Sequence, residues 1–294
     1  MRLLQVSRKV RNHPCNIHPR KWVGMVEQYG QGIEQKWVHR DSDFSVLPVP
    51  DVVVVHAVNQ TPWVVQKVRD HFPAAKVVSL PYNSLWLSDD SYKEVSAALQ
   101  NSDLVIGRLP PRTSLAKVNF MPLKPLVDAY IFSPPIDNSS RDMIFLPRGH
   151  NGRDPYWPEE TAQALDGMDC VYRAAGNLSE LQMAEMYRKS RVVISLREDA
   201  GPAYSTVEAI LCGAIPVVSR HAPILRELPA GVGFRAATRS PRSIRLAVNS
   251  IMKLTEEDYA LENRICQERL RSNGYTLQDQ APAIIEAFRK LAKQ

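Results

Sequence analysis

Short runs of apolar, largely β-branched residues recur along this chain, each bounded by turn residues and followed by a segment of helical period. In the first half the runs are Leu3–Val6, Val52–His56, Lys76–Leu80, Leu104–Ile106 and Val118–Met121, and helical patterns cover Lys21–Tyr29, Pro62–His71 and Ser91–Gln100. In the second half the runs are Met143–Leu146, Cys170–Arg173, Val192–Leu196, Ile215–Ser219 and Gly233–Arg235, with helices expected over Glu159–Leu165, Leu178–Lys189 and Ser205–Leu211. Unbroken apolar runs suit strands buried on both faces, and their alternation with helices predicts two parallel sheets covered by helices. From Ser243 onward the pattern is helical only: Ser243–Leu254, Glu256–Ser272 and Ala281–Lys293.

A break separates the halves. Leu126–Arg141 contains Pro134-Pro135 and the polar run Asp137-Asn138-Ser139-Ser140, the composition of an interdomain linker. A chain of 294 residues is long enough for two domains, each with its own core. The expected fold class is α/β, with one Rossmann-like parallel-sheet domain in residues 1–133 and another in residues 134–277.

Ser195–Ser219 carries the most chemistry. Arg191–Leu196 reads as a buried strand, Ser205 or Thr206 as the cap of the following helix, and Gly213 as its left-handed stop. Pro216 then begins the next strand, where its missing N–H costs least. Glu198 and Glu208 fall on either side of a helix N-terminus beyond the carboxyl end of a strand, where open α/β sheets bind ligands. The N-terminus attracts phosphate through unpaired N–H groups, while carboxylates accept from sugar hydroxyls. Phosphate and hydroxyls side by side describe a sugar nucleotide.

The same stretch resembles the donor-binding segment of retaining GT-B glycosyltransferases of the family 4 type. Their pattern of Ser-x-x-Glu-x-x-Gly, Glu-Ala, and a Cys-Gly turn into Pro-Val is matched by Ser195, Glu198 and Gly201, by Glu208-Ala209, and by Cys212-Gly213 with Pro216-Val217. Nine residues separate the two glutamates, two more than the family's usual spacing. The resemblance implies two Rossmann-like domains facing across a cleft, with helix 278–294 crossing back to the first. It implies that Glu208 holds the ribose of the donor, that Glu198 holds the sugar, and that Gly201, Ala203, Tyr204 and Ser205 line the nucleotide site. Arg148 and Arg153 match the family's paired diphosphate cations, with Pro147 replacing a glycine and Arg153 a lysine. Asp51–His56 resembles the strand whose closing histidine lies by the donor sugar, and Asn177 falls on the turn near the base. The loop after Leu126 resembles the family's linker.

Charge sharpens the picture on the acceptor side. Residues 1–40 hold eight lysines and arginines against Glu27 and Glu34, which equals the whole net charge of +6. Where the family carries a Gly-Gly loop, this chain has Ser7–Pro19, containing Arg8, Lys9 and Arg11, followed by Arg20 and Trp22. Cations beside an aromatic suit phosphate contacts and base stacking on a nucleic acid, or anionic lipid headgroups. The acceptor expected first is a hydroxymethylated pyrimidine in DNA, and the alternative is a cell-envelope or lipid-linked glycan. A non-catalytic sugar-nucleotide binder and a GT-B epimerase are the readings from other classes.

Composition removes further classes. No apolar run approaches the ~20 residues that cross a bilayer, and Met1–Lys9 lacks the apolar core of a secretory signal. Cys15, Cys170, Cys212 and Cys266 show no Cys-x-x-Cys spacing, which argues against a zinc site and suits a reducing cytoplasm. Asp41-Ser-Asp43 precedes a first-domain strand, away from the expected donor site, so no metal and no tightly bound cofactor are expected. The donor expected is a nucleotide-diphosphate sugar of the UDP type.

Overall fold

The computed structural model describes residues 1–7, 17–57, 62–81, 89–107, 118–135, 141–147, 157–173, 178–196, 204–226 and 234–294. They form two compact units, residues 1–124 with 280–294, and residues 125–279.

The first unit holds six parallel strands: β1 (Arg2–Ser7), β2 (Glu34–His39), β3 (Val52–His56), β4 (Lys76–Leu80), β5 (Leu104–Gly107) and β6 (Phe120–Pro122). Their order is β2-β1-β3-β4-β5-β6. Helices α1 (Ile17–Tyr29), α2 (Trp63–His71) and α3 (Asp89–Gln100) connect them. Val52–Val55 are completely buried, as a central strand of a parallel sheet requires. Strand β2 has no counterpart in the apolar runs. It is an edge strand in which exposure alternates, with Glu34 and Lys36 exposed, so its sequence does not run apolar.

The second unit holds five parallel strands: β7 (Met143–Leu146), β8 (Val171–Arg173), β9 (Ser190–Ser195), β10 (Ile215–Ser219) and β11 (Arg235–Ala237), ordered β11-β10-β9-β7-β8. Its helices are α4 (Pro158–Ala164), α5 (Glu180–Lys189), α6 (Tyr204–Leu211), α7 (Pro241–Met252) and α8 (Glu256–Ser272). The last helix, α9 (Leu277–Leu291), starts in this unit, and its residues from Gln280 belong to the first. Alternate strand residues face two cores. Phe145, Val193 and Val218 pack with Tyr187, Val207 and Leu270, whereas Ile144, Val192 and Val217 pack with Ile244, Val248 and Ile251. Strand β11 lies two residues further along the chain than the sequence pattern predicts, and β6 starts two residues later and ends one later.

Each sheet is doubly wound in the same way. The first strand has the second on one side and the third on the other, so the winding reverses between β1 and β3, and again between β7 and β9. Ligands of such sheets bind outside the carboxyl ends of the strands at this reversal.

Helix α6 ends as the glycine predicts. Gly213 is left-handed at φ +87°, its N–H reaches Ile210 O at 2.9 Å, and Ala214 N–H reaches Ala209 O at 2.8 Å. This pair of bonds is a Schellman stop. The Gly213 carbonyl then accepts from Arg141 Nη1, from Asn263 Nδ2 and, at 2.9 Å, from the Tyr259 hydroxyl. The same hydroxyl lies 2.9 Å from Arg191 O. Arg191, only 6% exposed, lies over the Tyr259 ring at 4.4 Å and donates to Leu254 O at 2.6 Å, clamping β9 to the turn between α7 and α8.

A Cβ at Gly213 would meet the Arg141 guanidinium, on top of the cost of its left-handed φ. Gly213→Ala is therefore expected to destabilise the protein by about 1–3 kcal/mol, read as a lower urea midpoint. Gly24→Ala on α1, where a Cβ meets nothing within 4 Å, is the control and is expected to stabilise by about 0.5–1 kcal/mol.

Candidate functional site

In the second unit the reversal lies beyond Leu146 of β7 and Ser195 of β9. The chain leaving β7 carries Arg148 and Arg153, and the chain leaving β9 carries Glu198, Gly201 and Ala203, all outside the described residues. Asn177, which follows β8, is also outside them. The described part of the site is its floor, made by the end of β9 and by α6.

Three hydroxyls tie that floor together. Ser195 Oγ lies 2.9 Å from Ser205 Oγ and accepts from Thr206 Oγ1 at 3.1 Å. Ser205 and Thr206 are thus the second and third residues of α6 rather than its cap. The helix starts one residue earlier, at Tyr204, and their side chains turn back to the strand. The Tyr204 hydroxyl accepts from Leu126 N–H at 3.4 Å.

Glu208 lies one turn into α6 and is half-buried. Its Oε2 accepts from the Tyr187 hydroxyl at 3.3 Å. Tyr187 is fully buried, 5.5 Å edge-on from Phe145 and 6.2 Å from Phe132, so its ring cannot swing away. Burial, then the negative charges that Glu208 and Cys212 would bring, pushes its phenol well above the ordinary range. Tyr187 therefore remains a neutral donor aimed at the carboxylate. Nothing in the sequence singles it out, since the two residues lie 21 positions apart on different helices.

In the first unit the reversal lies beyond Ser7 of β1 and His56 of β3. Arg8, Lys9 and Arg11 follow β1 immediately and lie outside the described residues, whereas Arg20 is exposed on α1. Trp22 corrects an expectation. It is 1% exposed and packs against His56 and Phe288, both at 6.2 Å between ring centres, so it is a core residue with no face for a nucleic-acid base. His56 itself is 1% exposed, with Nε2 2.8 Å from Gln5 Oε1. Gln5 was legible as an anomaly, a lone amide inside the apolar run Leu3–Val6.

Among the described residues, no group of three or more His, Cys, Asp and Glu could hold a metal ion. None of their helices is long and apolar enough to cross a membrane.

No family model and no curated protein matches this chain. Solved structures do. A glycosyltransferase from Rickettsia africae is 10% identical with a TM-score of 0.74, covering 100% of this chain and 99% of that one. Anabaena HepE in complex with UDP and glucose is 11% identical with a TM-score of 0.72, covering 99% and 100%. Sucrose-phosphate synthase from Thermosynechococcus elongatus is 12% identical with a TM-score of 0.71, covering 99% and 98%. These likenesses span the whole chain and establish its fold, the GT-B architecture of two parallel-sheet α/β units.

Alkaline stability tests the packing around α6. Burial, partly offset by Arg188, pushes the Cys212 thiol up to about 12, and burial does the same to Cys266. Each group is protonated in the fold at pH values where the unfolded chain ionises it, so its contribution is complete below about pH 9 and is lost as pH rises toward 12. Each thiol is expected to cost about 1.4 kcal/mol per pH unit across that interval. Urea midpoints should fall from pH 9 to 10.5, and the fall should be shallower in Cys212→Ala/Cys266→Ala. Equal slopes would contradict the buried thiols.

Proposed function

We propose that this protein is a glycosyltransferase that moves a sugar from a nucleotide diphosphate, of the UDP type, to an acceptor hydroxyl with retention of configuration. The observation that carries this is Glu208, held by Tyr187 on a helix lashed to the carboxyl end of β9 at the winding reversal. A structural neighbour that carries UDP and glucose supports the donor class.

In this reading Glu208 accepts from the ribose hydroxyls, Glu198 from the sugar hydroxyls, and Gly201, Ala203, Tyr204 and Ser205 border the nucleotide. Asn177 lies toward the base and His56 toward the sugar. As the anomeric carbon–oxygen bond breaks, negative charge gathers on the departing diphosphate, and Arg148 and Arg153 offset it. The acceptor hydroxyl bonds to the anomeric carbon, and its proton passes to a phosphate oxygen of the leaving group. For the acceptor we infer a polyanion. The support is the concentration of the entire net charge in residues 1–40, with Arg8, Lys9, Arg11 and Arg20 as its contacts.

The test is a panel of labelled sugar nucleotides, incubated without acceptor, with hydroxymethylated DNA and with lipid-linked glycan. Transfer to DNA that falls steeply with salt and is lost in Arg8→Ala/Lys9→Ala/Arg11→Ala would support the DNA acceptor. Transfer to the glycan alone would replace it. Glu208→Ala is expected to lower kcat/KM for the donor about 10- to 100-fold, the worth of charge-assisted hydrogen bonds to its hydroxyls. Tyr187→Phe, which keeps the packing, should lower it about two- to tenfold. Binding without transfer would make the protein a sugar-nucleotide binder, and a changed donor without acceptor would make it an epimerase.

A further inference from the structure

We propose that Gln5 and Gln35 are positioning residues that hold the His56 imidazole with a proton on Nε2. Three hydrogen bonds run in series. Gln35 Nε2 donates to Val23 O at 2.9 Å, Gln5 Nε2 donates to Gln35 Oε1 at 2.7 Å, and His56 Nε2 lies 2.8 Å from Gln5 Oε1.

The direction of this chain is forced from its far end. A backbone carbonyl only accepts, so the end of the Gln35 amide that faces Val23 O is the NH2. Gln35 then turns its oxygen to Gln5, which must answer with its own NH2 and show its oxygen to His56. An acceptor at that point requires a proton on Nε2. Reversing either amide would set two oxygens against each other in a place where Gln5 and His56 are each 1% exposed, a penalty that burial makes large.

Register explains how residues so far apart in the chain meet. Parallel pairing matches Leu3 with Gln35 and Val52, and Gln5 with Trp37 and Val54. Gln35, Gln5 and His56 therefore project from one face of β2, β1 and β3 along a diagonal that ends at the reversal. Helix α1 covers this face, supplying Val23 O at one end and the Trp22 ring, 6.2 Å edge-on to the imidazole, at the other. The residue after His56 departs from strand geometry at once. Ala57 has φ +53°, a left-handed conformation that a non-glycine residue adopts at a cost of about 1–3 kcal/mol.

The proton on Nε2 follows from the direction of the three bonds. Its bearing on catalysis rests on the glycosyltransferase reading, in which His56 lies toward the donor sugar. Long-range 1H–15N correlation spectra of the 15N-labelled protein test it, with His56→Gln identifying the ring. In wild type Nε2 should carry a proton. Gln5→Leu should replace this pattern with an averaged one. If Gln5→Leu does not fold, Gln35→Leu frees the Gln5 amide to reverse and should give the same averaging. A bare Nε2 in wild type, or an unchanged pattern in a folded Gln5→Leu, overturns the relay. Where wild type transfers sugar, Gln5→Leu should lose about two- to tenfold in kcat/KM. Transfer by Gln5→Leu at the wild-type rate would overturn the positioning role. Absence of transfer by wild type would count against the function alone, since the spectra judge the relay separately.

Discussion

Helix α6 is only eight residues long, below the length at which a helix holds together by itself, and the candidate site hangs on what grips its two ends. At the far end the Gly213 carbonyl is a three-way anchor for Arg141, Tyr259 and Asn263, which binds α6 to α8 and to the start of β7. At the near end Ser205 and Thr206 hold Ser195, the last residue of β9. With both ends tied, the middle of the helix cannot rotate, and Glu208 keeps one bearing. Tyr187 then selects the rotamer of that carboxylate.

Both units use the same winding, and in both the candidate residues lie at or directly after strands that flank its reversal. In one, the chain leaves β7 and β9 toward the cations and carboxylates of the donor reading. In the other it leaves β1 and β3 through a basic segment and through His56. Glu208 and His56 each meet a buried neutral group whose direction is dictated by its neighbours. A phenol that burial keeps protonated serves Glu208, and a pair of amides serves the imidazole. Such groups hold a side chain in place without adding a buried charge that would need its own partner.

Several features of the sites had no trace in the sequence for identifiable reasons. Strand β2 has only Trp37 and Val38 as apolar residues because it lies at a sheet edge, so a search for apolar runs passes over it. Ser205 and Thr206 have the composition of a cap, yet the Ser195 hydroxyl competes for them and the helix begins before them. Trp22 sits among cations in sequence, but α1 turns it inward onto His56 and Phe288. In each case local chemistry allowed two environments and packing chose between them.

What the sequence determined by itself is whatever depends on local periodicity and backbone chemistry. Apolar runs alternating with helices require doubly covered parallel sheets, and a glycine after Cys212 permits the left-handed stop that ends α6. Only the tertiary structure decided which side chains meet across elements: Tyr187 with Glu208, Gln5 and Gln35 with His56, and three donors with one carbonyl. Those contacts join residues 21 or more positions apart, and strand order and register, which set them, are properties of the whole sheet rather than of any segment.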